Sequence, residues 1–173
     1  MGKDRQHQKT NVARLLDKAS IPYELVAYEV DESDLAATHV AQQLGEDIKS
    51  VFKTIVLKGE YPGRNSAASN AAGHFVCVIP GDAEVDLKKA AKAAGAKKAD
   101  LIPMKDLLPL TGYIRGGCCP IGMKKPFPTF FHSTALDFPE IYVSAGVRGM
   151  QLRIAPKALI DYVGADVTDL IAE

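Results

Sequence analysis

The run Val51-Phe52-Lys53-Thr54-Ile55-Val56-Leu57 constrains the fold more than any other segment. Its β-branched and aromatic residues favour extended backbone, and its length is that of a sheet strand. Side chains alternate along a strand. Phe52, Thr54 and Val56 therefore share one face, and Val51, Lys53, Ile55 and Leu57 share the other. Lys53 thus stands among three aliphatic neighbours. Either it is an edge lysine whose ammonium snorkels to water, or it is a cation at a pocket mouth that holds a phosphate or polarises a carbonyl.

The other elements can be placed around this strand. Thr10 is a helix cap for residues 10–19, with Val12, Leu15 and Leu16 on one face. Residues 23–30 read as a strand. Asp34 is the expected N-cap of a helix over residues 35–44, stopped by Gly45. Residues 61–73 are rich in Gly, Ser, Asn and Ala and read as a flexible hairpin connection to a buried strand at residues 75–79. Asp86 caps a helix to Ala94, and Gly95 closes it. A short strand at 98–102 and a helical turn at 104–108 follow. Strands are expected at 129–131, 141–144 and 152–154. Pro156 suits the first position of a last helix to Val163. Strands and helices mix without a regular βαβ repeat. The expectation is one mixed α/β domain over residues 10–173 after a flexible segment of residues 1–9. It would be a twisted, partly closed, barrel-like mixed sheet surrounded by helices.

Composition narrows the function. With 173 residues, 47% of them hydrophobic, the chain suits one core. Lys+Arg and Asp+Glu are both 21, which gives no case for strong non-specific binding of DNA or other polyanions. The charge is nevertheless segregated. Residues 24–47 hold seven acids and no Lys or Arg, while residues 86–125 hold nine bases and three acids. That basic stretch is either a solvated helix with its neighbours or a face for a polyanion. Three cysteines, no apolar leader and no long apolar run point to a reducing cytoplasm and away from a disulfide framework or a membrane.

The four histidines are scattered, and Cys118 and Cys119 are adjacent, so no zinc spacing is present and no metal is expected. Neither a P-loop nor a dinucleotide fingerprint occurs. The loop Tyr113-Ile114-Arg115-Gly116-Gly117-Cys118-Cys119-Pro120-Ile121-Gly122, centred on Gly117-Cys118-Cys119-Pro120, is the second chemical candidate. Its glycines let backbone N–H groups approach a ligand, as in an oxyanion nest, and the alternative is an ordinary Gly/Pro turn. Cys118 or Cys119 could act as a nucleophile beside His39 or His132, or could be buried bystanders. A third loop, Ser144-Ala145-Gly146-Val147-Arg148-Gly149, offers a hydroxyl and a guanidinium suited to phosphate, or is a plain hairpin.

Four stretches in register resemble the YbaK family of aminoacyl-tRNA deacylases, the prolyl-tRNA-synthetase-associated editing domains. They are Val51-Phe52-Lys53-Thr54-Ile55-Val56; Asp86-Leu87-Lys88-Lys89-Ala90-Ala91-Lys92; Thr111-Gly112-Tyr113 through Gly117-x-x-Pro120-Ile121-Gly122-x-Lys124-Lys125; and Ile141-Tyr142-Val143-Ser144-Ala145-Gly146-x-Arg148-Gly149. The resemblance implies hydrolysis of the ester joining a wrong amino acid to tRNA, with Cys-tRNA(Pro) the first substrate to consider and no cofactor. The partners it implies are mischarged tRNA and prolyl-tRNA synthetase. It implies catalytic roles for Lys53 and for the loop residues Gly117, Cys118 and Cys119, acting through backbone N–H groups. It implies substrate-binding roles for Tyr28, Pro120, Ser144, Gly146 and Arg148. The substrate's own thiol would serve as nucleophile in the cysteine-clearing branch. Many relatives carry Ser where this chain has Cys119, which leaves the preferred amino acid and a protein-thiol mechanism open. A non-catalytic tRNA- or synthetase-binding module with the same fold is the alternative.

Overall fold

The computed structural model describes residues 9–61 and 73–173. Its strands are β1 (Glu24–Ala27), β2 (Phe52–Glu60), β3 (His74–Pro80), β4 (Lys98–Leu101), β5 (Thr129–His132), β6 (Ile141–Ser144), β7 (Met150–Ile154) and β8 (Asp166–Thr168). Its helices are α1 (Asn11–Lys18), α2 (Ala37–Leu44), α3 (Leu87–Ala94), α4 (Leu107–Thr111) and α5 (Pro156–Val163). One sheet has five strands in the order β4-β2-β3-β5-β8, and the other has three in the order β1-β7-β6. The large sheet is mixed: β2 runs antiparallel to β3 and β4, while β3–β5 and β5–β8 are parallel. The mixed α/β class is as expected. Among the described residues no strand pairing closes a barrel; a single parallel bridge, Val51 to Tyr142, links the two sheets. The connection read as a flexible hairpin falls mostly on residues 62–72, and the flexible N-terminal segment mostly on residues 1–8, outside the described residues.

The alternation in β2 explains the layers. Phe52 and Val56 face the main core, where they meet Val76, Val78 and Phe131 of the same sheet and Val143, Leu152 and Ile154 of the small sheet. Leu57 faces the other way, into a second cluster with Phe75, Cys77, Ile79 and the alanines Ala90 and Ala91 of α3. Each fully buried side chain of this size contributes ~1.5–3 kcal/mol relative to exposure. A strand apolar on both faces is stable only between two such layers.

Local signals fix most ends. Thr10 Oγ1 accepts from Ala13 N–H at 3.2 Å and starts α1. Asp86 accepts from the N–H groups of Lys88 and Lys89 at 2.9 and 3.0 Å and starts α3. Gly45 and Gly95 end α2 and α3 in the left-handed conformation. Asp34 is different. It accepts from Ala36 N–H at 3.3 Å in a turn, and α2 begins two residues later than expected, with no side-chain cap. Pro109 lies inside α4 rather than beyond it, within the first turn, where its missing N–H costs no helical bond.

Candidate active site

A cavity of ≈ 500 Å³ opens where β2 begins. Its walls come from α2 and the residues before it, the first half of β2, Gly81, the end of β4 with the turn and helix after it (Leu101, Ile102, Met104 and Leu107), the loop residues Arg115, Gly116 and Cys118, and the facing ends of β6 and β7. Gly81 permits this convergence. A Cβ there would stand 2.4 Å from the Ala37 Cβ and 3.0 Å from the Val51 carbonyl oxygen, so only glycine lets α2 approach the sheet. Its N–H also donates to that carbonyl at 2.7 Å.

Lys53 lines the cavity. Burial pulls its pKa below the ordinary lysine value, and the more distant carboxylates of Glu84 and Asp82 push it back upward. Among the described residues its ammonium makes no hydrogen bond or ion pair. Arg115 is the second cation on the wall, and no Asp, Glu or His lines it. The site therefore presents positive charge without an internal counter-ion, the electrostatics expected for an anionic or strongly polarised ligand.

The Gly/Cys loop divides its roles. Gly116 and Cys118 line the cavity; Gly117, Cys119 and Pro120 do not. Gly117 N–H is already donated to Ile114 O at 2.9 Å. A Cβ on Gly117 would sit 3.3 Å from Val147 Cα, so this glycine serves close approach of two loops. Cys119 is fully buried. Burial pushes both thiols up, to about 12 in each case. Pro120 lines a separate, more open depression of ≈ 620 Å³ with Phe127 and Tyr162. Lys53, Thr54 and Gln151 line the cavity at β2 and not this depression.

Ser144 reaches the cavity wall, and its hydroxyl accepts from Gly146 N–H at 3.1 Å. Gly146 and Arg148 stand behind the wall. Arg148 Nε donates to Arg115 O at 2.8 Å, and its guanidinium lies 4.0 Å from Glu32. Tyr28 continues β1 through its N–H to Gly149 O at 2.9 Å and is not a lining residue. Sequence reasoning missed Thr54, Gly81, Arg115 and Gln151 on the wall. Of these, only Arg115 carried a signal, as a lone base within a glycine-rich loop. Among the described residues no cluster of three or more His, Cys, Asp or Glu could hold a metal.

A profile of the aminoacyl-tRNA editing domain family matches residues 32–162. The chain belongs to this family. It is 42% identical over 170 residues to an Enterococcus faecalis protein named for a proposed Cys-tRNA(Pro)/Cys-tRNA(Cys) deacylase activity, covering 98% of both chains. An uncharacterized Bacillus subtilis protein is 24% identical over 134 residues, 78% of each chain. The editing-domain fold recurs in the crystal structure of a proposed trans-editing enzyme for prolyl-tRNA synthetase. There the TM-score is 0.77 at 24% identity, covering 96% of this chain and 100% of that one. A hypothetical protein of known structure gives a TM-score of 0.80 at 21% identity, covering 94% and 100%. At these identities the two structures speak for the fold alone.

Proposed function

We propose that the protein is a trans-acting editing hydrolase that deacylates mischarged aminoacyl-tRNA, Cys-tRNA(Pro) foremost, in the cytoplasm and beside prolyl-tRNA synthetase. The observation that carries this reading is Lys53: an unpaired, partly buried cation on a cavity wall without acids. The relative's name supports the substrate class. In this reading Lys53 holds the substrate's 3′ end. The N–H groups of Gly116 and Cys118, which have no acceptor among the described residues, face the charge that develops on the scissile carbonyl. In this reading neither thiol is the nucleophile: burial raises both, and no His, Asp or Glu lines the cavity to take the proton.

Two nucleophiles fit. Water adds to the ester carbonyl, and the amino acid and the free tRNA hydroxyl leave. With a cysteinyl substrate, its own sulfur attacks the carbonyl, the ester C–O bond breaks, and the thiol proton passes to the leaving ribose oxygen, giving a cyclic thioester and free tRNA.

The test is deacylation of Cys-, Ala- and Ser-tRNA(Pro) by wild type and Lys53→Ala. Wild type should release amino acid, and Lys53→Ala should lose roughly 100- to 1,000-fold in rate. Full activity in Lys53→Ala would remove the lysine from the site. Activity on the cysteinyl ester alone favours the substrate's sulfur; activity on all three favours water. Tight tRNA binding with no turnover of any ester would mark a binding module instead.

A further inference from the structure

Three buried side-chain polar atoms lack a hydrogen-bond partner among the described residues: Thr54 Oγ1, Thr134 Oγ1 and Gln151 Oε1. Two of the three, Thr54 and Gln151, belong to residues that line the cavity. Gln151 is only 5% exposed. A buried acceptor without a donor is costly, and native proteins keep few of them. Gln151 lies on β7 directly across from Ser144 on β6, whose hydroxyl is already occupied by Gly146 N–H. Thr54 comes from β2 in the other sheet. Each sheet thus brings to the wall of the same cavity a residue that carries an unsatisfied buried oxygen.

We propose that Gln151, helped by Thr54, receives the α-amino group of the aminoacyl ester. This rests on the deacylase reading and names which part of the substrate the back of the site recognises. In an aminoacyl ester the carboxyl is esterified and offers only acceptors, which Lys53 and the loop N–H groups match. The amino group is the donor common to every aminoacyl ester, and an orphan acceptor needs a donor. The cavity holds two cations and no carboxylate, so a neutral amide accepts from the amino group without demanding a full positive charge beside Lys53 and Arg115. Such a contact reads the amino-acid class and leaves the side chain to the apolar wall.

The test compares wild type, Gln151→Leu and Thr54→Val on Cys-, Ser- and Ala-tRNA(Pro), with Tm measured for each. Gln151→Leu should lower kcat/KM by roughly 10- to 100-fold, by the same factor for all three esters. Its Tm should hold or rise, because an unsatisfied buried acceptor has been removed. Thr54→Val, nearly isosteric, should show a smaller uniform loss, and it carries the test if Gln151→Leu does not fold. Wild-type rates in both variants overturn the inference. So does a loss confined to the Cys and Ser esters, which would place the oxygens against the substrate side chain. A wild type inactive on all three esters overturns the deacylase reading itself, and this inference with it.

Discussion

Cys118 and Cys119 show how one residue type can occupy two unlike environments in adjacent positions. Both are buried in the main core, but Cys118 also forms part of the cavity wall, while Cys119 has no exposure. Cys119→Ser should therefore cost stability and not chemistry: burying a hydroxyl in place of a thiol destabilises by ~1–3 kcal/mol, with the rate per folded molecule unchanged. Denaturant titration together with active-site-normalised deacylation checks this. A catalytic thiol would show the reverse, an intact fold with no turnover. Gln151 was not legible as a site residue. A glutamine between Met150 and Leu152 reads as an outward polar residue or a loop position, and only its pairing with Ser144 across two strands places it against the cavity. Lys53 was legible because a charge inside an apolar strand breaks the pattern around it, and nothing in the pattern explains it.

At the level of elements, the loop 115–118 is held by the loop 144–149. Arg148 Nε bonds Arg115 O, and Gly117 lies against the Val147 and Arg148 backbone. We propose from this contact that Arg148 acts as a positioning residue rather than a phosphate clamp. Arg148→Ala should lower kcat about tenfold and change tRNA affinity less than twofold; a clamp would weaken binding and leave kcat. The chain's end is held in a similar way. His132 Nδ1 accepts from Leu170 N–H at 3.1 Å, while Lys89 binds Asp169 at 2.9 Å and Ile171 O at 2.8 Å. Burial holds the His132 pKa below its ordinary 6.5, Asp169 and Asp137 oppose the shift, and Lys89 adds to it. The folded state then binds fewer protons than the unfolded one below 6.5. This part of the stability is complete above 6.5 and is lost as pH falls through it. Denaturant midpoints from pH 8 to pH 5 should fall in wild type, and more shallowly in His132→Gln. The caps Thr10 and Asp86 were readable because each is a local event. The three-residue strand β8 was not, since its existence depends on β5 lying parallel beside it and not on a pattern of its own.

For the whole molecule the question is where the uneven charge goes. The sequence shows nine bases over residues 86–125 as one block, and the fold separates them. Arg115 lines the cavity, and Lys105 sits in the turn Met104–Asp106 beside it. Lys89 is committed to the C-terminal segment, and Lys98 lies 3.9 Å from Asp100. Lys88 and Lys92 ride on α3, which covers the face of the large sheet turned away from the main core. Linear proximity therefore overstates the basic face, because α3, the single strand β4 and the turn Met104–Asp106 place these bases in different parts of the fold. If the tRNA 3′ end enters the cavity, the phosphates next to it meet Arg115 and Lys105 first. Binding should then weaken linearly in log Kd against log salt, and Lys105→Ala or Arg115→Ala should each reduce the slope by about 0.7–0.9. Lys98→Ala and Lys92→Ala should leave the slope within error. Equal losses at all four positions would mean that the whole block meets the tRNA, and that the acceptor stem lies along α3 instead of running straight into the cavity.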